Sequence, residues 1–96
     1  MSKRLSAIAT VLVDDDKVCV TRFDFEPGAE TGWHIHGHDY VVTPITHCDF
    51  LLEEPGGETR KVSMAPGEAY RRAVGVEHNV INGGDKPMSF VEVELK

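Results

Sequence analysis

The stretch Gly28-Ala29-Glu30-Thr31-Gly32-Trp33-His34-Ile35-His36-Gly37-His38-Asp39-Tyr40 gathers three of the chain's five histidines into five consecutive positions. His34 and His36 lie two residues apart, and in an extended chain that spacing points both imidazoles to one face. Neutral imidazole is the commonest side-chain ligand for the later first-row divalent metals. A same-face pair is therefore the start of a metal site, and the question becomes where a third histidine lies.

Outward from this stretch the chain reads almost entirely as short strands. On the amino-terminal side, residues 5–13 are rich in Ala, Ile, Val and Thr and stop at Asp14-Asp15-Asp16. Residues 17–26 alternate Cys19, Thr21, Phe23 and Phe25 against Val18, Val20, Arg22 and Asp24, so both faces are partly apolar. One side of that strand calls for cover from outside its own core. Pro27-Gly28 then breaks the run.

On the carboxyl-terminal side, residues 40–46 form a β-branched run in which Pro44 argues for an edge position or a bulge. Residues 50–54 and 58–64 flank Pro55-Gly56-Gly57, a hairpin signal. Ala65-Pro66-Gly67 leads into 69–74, and 78–82 is a short strand ahead of Gly83-Gly84-Asp85-Lys86-Pro87. The closing residues alternate, and that pattern assigns Val91, Val93 and Leu95 to the inside and Glu92, Glu94 and Lys96 to the outside. About eight short strands separated by Gly/Pro turns predict an all-β barrel or sandwich.

Ninety-six residues are enough for one hydrophobic core and too few for two. A net charge of −6 with a pI near 5.2 makes nucleic acid and anionic membranes poor partners. Met1-Ser2-Lys3-Arg4 resembles the basic start of a signal peptide, but the apolar stretch behind it is short, interrupted by Ser6 and Thr10 and closed by the aspartates. Nothing approaches the length of a membrane span. A cytoplasmic protein is expected, with Cys19 and Cys48 as reduced thiols.

Two spacings now resemble a known family. Gly28, five residues, His34-x-His36, three residues, Tyr40, six residues and His47 follow the first cupin motif, Gly-x5-His-x-His-x3/4-Glu-x6-Gly. The second motif, Gly-x5-Pro-x-Gly-x2-His-x3-Asn, lies over Gly67, Ala73, Gly75, His78 and Asn82. The pair is similar to the cupin superfamily, specifically its small single-domain barrels. The resemblance implies one jelly-roll barrel of short antiparallel strands over 1–96, in which His34, His36 and His78 converge on one divalent metal, Fe, Mn, Ni or Zn. It also implies a homodimer, since cupins commonly pair through strands such as 5–13 and 17–26.

The departures from the motif fall at chemically informative places. Tyr40 stands where the family carries a glutamate ligand, His47 where it has a turn glycine, and Ala73 where it has a proline. Tyr40 is a poor ligand while its pKa stays near 10, and is read as a hydrogen-bond donor to metal-bound water or substrate, or as a packed aromatic. His47 is read as structural, held in a left-handed turn that histidine tolerates better than most residues. Tyr40 and His38 are the candidate catalytic groups, with Glu77 behind them. Asp39 either orients a ligand histidine or caps the turn. Trp33 is read as pocket wall or core, Cys48 as a buried structural thiol, and Asn82 as a turn hydrogen-bonder.

Three neutral imidazoles leave a divalent ion its full charge and at least one open position, which suits a small anionic ligand. The resulting expectation is a metal-dependent enzyme acting on a carboxylate-type metabolite, as a dioxygenase or an isomerase/lyase. A non-catalytic binding or sensing cupin is the alternative, and a metal-free accessory protein is the third class.

Overall fold

The structure, a computed structural model, describes residues 4–96, so the Met1-Ser2-Lys3 part of the basic start lies outside the described residues. Nine strands run β1 (Ile8–Asp14), β2 (Val18–Phe25), β3 (His34–Ile35), β4 (Asp39–Pro44), β5 (Cys48–Glu54), β6 (Glu58–Met64), β7 (Tyr70–Arg72), β8 (Glu77–Asn82) and β9 (Met88–Leu95). The only helical piece among the described residues is a 3-10 turn over Pro55–Gly57, which closes the β5–β6 hairpin. No described helix is long and apolar enough to cross a membrane. Every strand pairing is antiparallel, in one sheet ordered β1-β2-β9-β4-β7 and another ordered β3-β8-β5-β6.

The two sheets face each other across a core built by alternation. Phe25 on β2, Tyr40 and Val42 on β4, Phe50 and Leu52 on β5, Val80 on β8 and Met88 and Phe90 on β9 are all buried. Phe90 is the hub, with ring centroids 5.4 Å from Phe23, 5.5 Å from Phe25 and 5.4 Å from Phe50, separations at which aromatic pairs attract beyond their area burial. Pro44 pairs only with Phe90, because β7 stops at the partner of Val42, so its missing N–H breaks no ladder on that side. Cys48 is fully buried and Cys19 half-buried, both unbridged.

Three sequence expectations are corrected. In β9 the inward residues are Met88, Phe90 and Glu92, while Val91 and Val93 lie on the outer face and Leu95 is exposed. Glu94 shares the parity of Glu92 and is likewise half-buried rather than turned to solvent. The reason is that the outer face is itself apolar: Val13, Val20, Val93 and Val41 are direct cross-strand partners and form one row over β1, β2, β9 and β4. Alternation alone cannot say which of two half-apolar faces is the inside. His47 has no left-handed backbone, since every positive-φ residue described is a glycine; its ring instead contacts Asp49 at 3.0 Å on the surface. Trp33 is half-exposed and neither core nor wall of the histidine pocket; its indole N–H donates to Glu77 at 2.7 Å.

The motif glycines do local work that fixes the site. Gly75 adopts φ +94°, a backbone that L side chains rarely take. Its N–H donates to the His36 carbonyl at 2.9 Å, while the His36 N–H donates to Val76 at 2.8 Å. That reciprocal pair docks the His36 backbone against the segment leading into β8, the strand that carries His78.

Candidate metal centre

The histidines of the triad are brought together by two routes. His34 and His78 are direct partners across the β3–β8 ladder, and His36 is brought in by the docking at Gly75 and Val76. Buried Asn79, next to His78, accepts from the Gly32 N–H at 3.0 Å and donates to Glu30 at 2.7 Å and Glu53 at 2.9 Å. It thereby ties the loop before His34 to β8 and to β5.

The three Nε2 atoms converge. His34 Nε2 lies 3.0 Å from His36 Nε2, which lies 3.1 Å from His78 Nε2. His34 Nδ1 is 2.9 Å from the Gly32 carbonyl, an acceptor only, so the proton sits on Nδ1 and the Nε2 lone pair is bare. His78 Nδ1 is buried without a hydrogen-bond partner, so the ring's polar contacts run only through Nε2. Burial first, and the neighbouring imidazoles and Arg72 after it, lower the pKa of His36 to about 4 and of His78 to about 3. Both rings are neutral at pH 7, the form in which imidazole ligates.

This donor set fits a divalent ion. Metal–imidazole bonds of about 2.1 Å meeting at right angles put two ligand nitrogens about 3.0 Å apart, the separation that His36 holds from His34 and from His78. Without a cation, neutral imidazoles packed nitrogen to nitrogen have at most one proton to share across each contact.

Tyr40 sits beneath this cluster. Its ring lies flat on His36, centroids 3.7 Å apart and 13° from parallel, and its hydroxyl is buried without a partner. Burial raises the phenol well above its usual pKa. The phenol therefore stays protonated and braces His36. His38 points elsewhere, half-exposed, with Nδ1 3.4 Å from Glu94. Asp39 caps the turn: it accepts from the Val74 N–H at 2.8 Å and from Arg71 at 3.1 Å, and is no partner of a triad ring. Asn82 accepts from the Gly84 N–H at 3.0 Å and donates to the Lys86 carbonyl at 2.8 Å, closing the turn after β8. Glu77 is spent on Trp33 at the surface.

His34 and His36 of the triad open into a pocket of about 260 Å³, lined by Phe23, Thr31, His34, Ile35, His36, Gly37, Val80, Phe90, Glu92 and Glu94. Glu92 and Glu94 are the site residues that the sequence reading turned outward. Ligand atoms of His36, Glu92 and Glu94 all lie within 4.8 Å of one another. Glu92 is only 9% exposed, and burial together with the nearby Glu94 carboxylate raises its pKa to about 7. The signal that could have found it is parity, since Glu92 is four residues from Met88 and two from Phe90.

These shifts give a pH dependence with a definite sign. His36 and His78 bind protons more weakly folded than unfolded, so their contribution is present above about pH 6.5 and is lost as the pH falls. Glu92 acts in the opposite sense, losing stability as the pH rises from about 4.5 to about 7. Between those limits the unfolded chain binds about one more proton than the fold, so metal-free protein should lose about 1 kcal/mol per pH unit on acidification from pH 6.5 to 4.5. Urea midpoints measured across that range check this; a flat or rising stability would contradict it.

A small antiparallel barrel in which a His-x-His pair and a distal histidine converge beside one pocket defines a three-histidine barrel of the cupin kind. The family model described as "Cupin domain" matches residues 21–94, and the chain belongs to that family. The chain is 53% identical, over the full length of both, to the "Beta-alanine degradation protein BauB" of Pseudomonas aeruginosa. It is also similar to the crystal structure of a cupin domain from Bordetella pertussis, with TM-score 0.94 and 49% identity over 100% of this chain and 99% of that one. The polyketide cyclase RemF of Streptomyces resistomycificus shares the fold at TM-score 0.72, with 22% identity over 98% of this chain and 70% of that one.

Proposed function

We propose that this protein is a metal-dependent enzyme acting on a small anionic, carboxylate-type metabolite through one divalent ion held by His34, His36 and His78. The observation that carries the reading is the convergence of three Nε2 atoms at 3.0 and 3.1 Å beside a pocket that His34 and His36 line. When bound there, an ion ligated by neutral imidazoles supplies Lewis acidity toward an oxygen ligand. The chain's own residues do the rest. The Gly32 carbonyl fixes the His34 tautomer, Tyr40 braces His36 from behind, and Phe23, Val80 and Phe90 give the pocket an apolar wall. The relative named for β-alanine degradation supports placing the substrate among small carboxylates of amino-acid breakdown. Free cysteines fit the same cytoplasmic setting.

The test is to reconstitute the protein separately with Fe, Mn, Ni and Zn and assay a panel of small carboxylates and thiols. Oxygen uptake with iron would identify a dioxygenase, and oxygen-independent conversion an isomerase or lyase. Saturable binding without turnover by any metal form would replace the enzyme reading with a binding module.

The same reading includes a homodimer. All seven residues of β1 are exposed, including Ile8, Val11, Leu12 and Val13, and β1 pairs on one side only, with β2. An unpaired apolar edge beside the Val13–Val20–Val93–Val41 row supports pairing with a second copy about a two-fold axis. Sedimentation at micromolar concentration should give twice the 10.6 kDa chain mass, and Val13→Asp, on the exposed end of the row, should give a folded monomer. A monomeric wild-type chain would end the dimer reading.

A further inference from the structure

Glu92 and Glu94 face the same pocket as His34 and His36, and nothing in the metal-centre reading uses them. Glu92 is nine-tenths buried on the inward face of β9, and no described side chain or backbone amide hydrogen-bonds its carboxylate. Glu92 lines the pocket instead. A buried carboxylate is costly without a partner, and a second carboxylate two residues on raises that cost by like-charge repulsion. The two carboxylates group with His36 alone: ligand atoms within 4.8 Å of one another form one set of His34, His36 and His78 and another of His36, Glu92 and Glu94. The acidic pair thus stands beside the triad, on the His36 side, and not in its centre. Glu94 has a weak contact to His38 at 3.4 Å, whereas Glu92 has none.

We infer that Glu92, with Glu94 behind it, is an ammonium-binding subsite, so that the pocket takes a small zwitterionic amino acid whose carboxylate faces the triad and whose amino group lies on Glu92. The inference rests on the proposed metal-held anion for one pole and on Glu92 for the other. His36 belongs to both sets, so the poles are adjacent and suit a short ligand with its charges at its two ends. Glu92 and Glu94 are the only carboxylates among the residues that line the pocket. A charge-assisted hydrogen bond of this kind contributes roughly ten- to a hundredfold in affinity.

Three probes dissect the pocket in zinc-loaded protein: β-alanine carries both charges, propionate lacks the amine, and propylamine lacks the carboxylate. Titration followed by calorimetry, and by NMR shifts for millimolar binders, should show β-alanine at least about tenfold tighter than propionate. Glu92→Gln should close that gap with zinc content, by elemental analysis, unchanged. Glu94→Gln, at the more exposed position, should narrow it partly, which guards against a misfolded Glu92 variant. Equal affinity for β-alanine and propionate, or a gap that survives Glu92→Gln, overturns the subsite while leaving the metal-held anion standing. Loss of zinc in Glu92→Gln also overturns it, by making Glu92 a ligand of the ion. If neither acid binds but propylamine does, and loses its affinity in Glu92→Gln, the subsite stands and the metal-held anion fails. Absence of binding by all three removes both.

Discussion

Replacing His78 with alanine should lower bound divalent metal from about one equivalent to below about a tenth after reconstitution and desalting. The same should hold for His36→Ala, because the ion needs all three neutral nitrogens and each lies within 3.1 Å of another. Elemental analysis reads this directly, and a thermal melt reads it independently. Wild-type protein at a hundredfold excess of metal over Kd gains about 2.7 kcal/mol of stability, and a variant that no longer binds gains nothing. Tyr40→Phe is the control: it removes a buried hydroxyl that has no partner, so metal content should be unchanged and stability equal or higher by about 1 kcal/mol. If Tyr40→Phe loses the metal, the phenolate oxygen is itself a ligand, and the open three-imidazole site is wrong.

The second large effect belongs to the scaffold. Phe90→Ala should cost about 3–5 kcal/mol, because the ring is buried at the meeting point of Phe23, Phe25 and Phe50 and the surrounding sheets cannot collapse into the space. For a domain of this size that corresponds to a fall in Tm on the order of 20 °C. Such a loss is a large share of the 5–15 kcal/mol typical of a whole domain. A midpoint within a few degrees of wild type would mean that the aromatic cluster does not carry the core.

How far the sequence was legible depends on which physical signal was being read. Strand positions followed from turn chemistry: Pro27-Gly28, Pro55-Gly56-Gly57 and Pro66-Gly67 interrupt the chain where the strands end. The triad was legible because His34-x-His36 is a fixed same-face pair and His78 sits at a motif spacing from Gly75, whose positive φ then proves to dock His36. Glu92 was not legible, because alternation in 91–96 gives two phases and the usual preference for valine inside selected the wrong one. The barrel inverts that preference twice, with a valine row on the outside and a carboxylate inside the mouth. Such inversions are expected where a surface is to be covered or a pocket is to bind something. Trp33 failed for a simpler reason. A large aromatic beside a site suggests a wall, but Trp33 lies in the bend just before β3, where its half-exposed indole turns to Glu77 while His34 begins the strand.

The most direct measurement of the central claim is X-ray absorption at the metal edge of protein reconstituted with one equivalent of zinc. The account predicts three nitrogen scatterers at about 2.0–2.1 Å with the outer-shell pattern of imidazole, and fewer imidazoles in His78→Ala. A spectrum without three imidazole nitrogens, or a protein that retains no zinc on desalting, would contradict it.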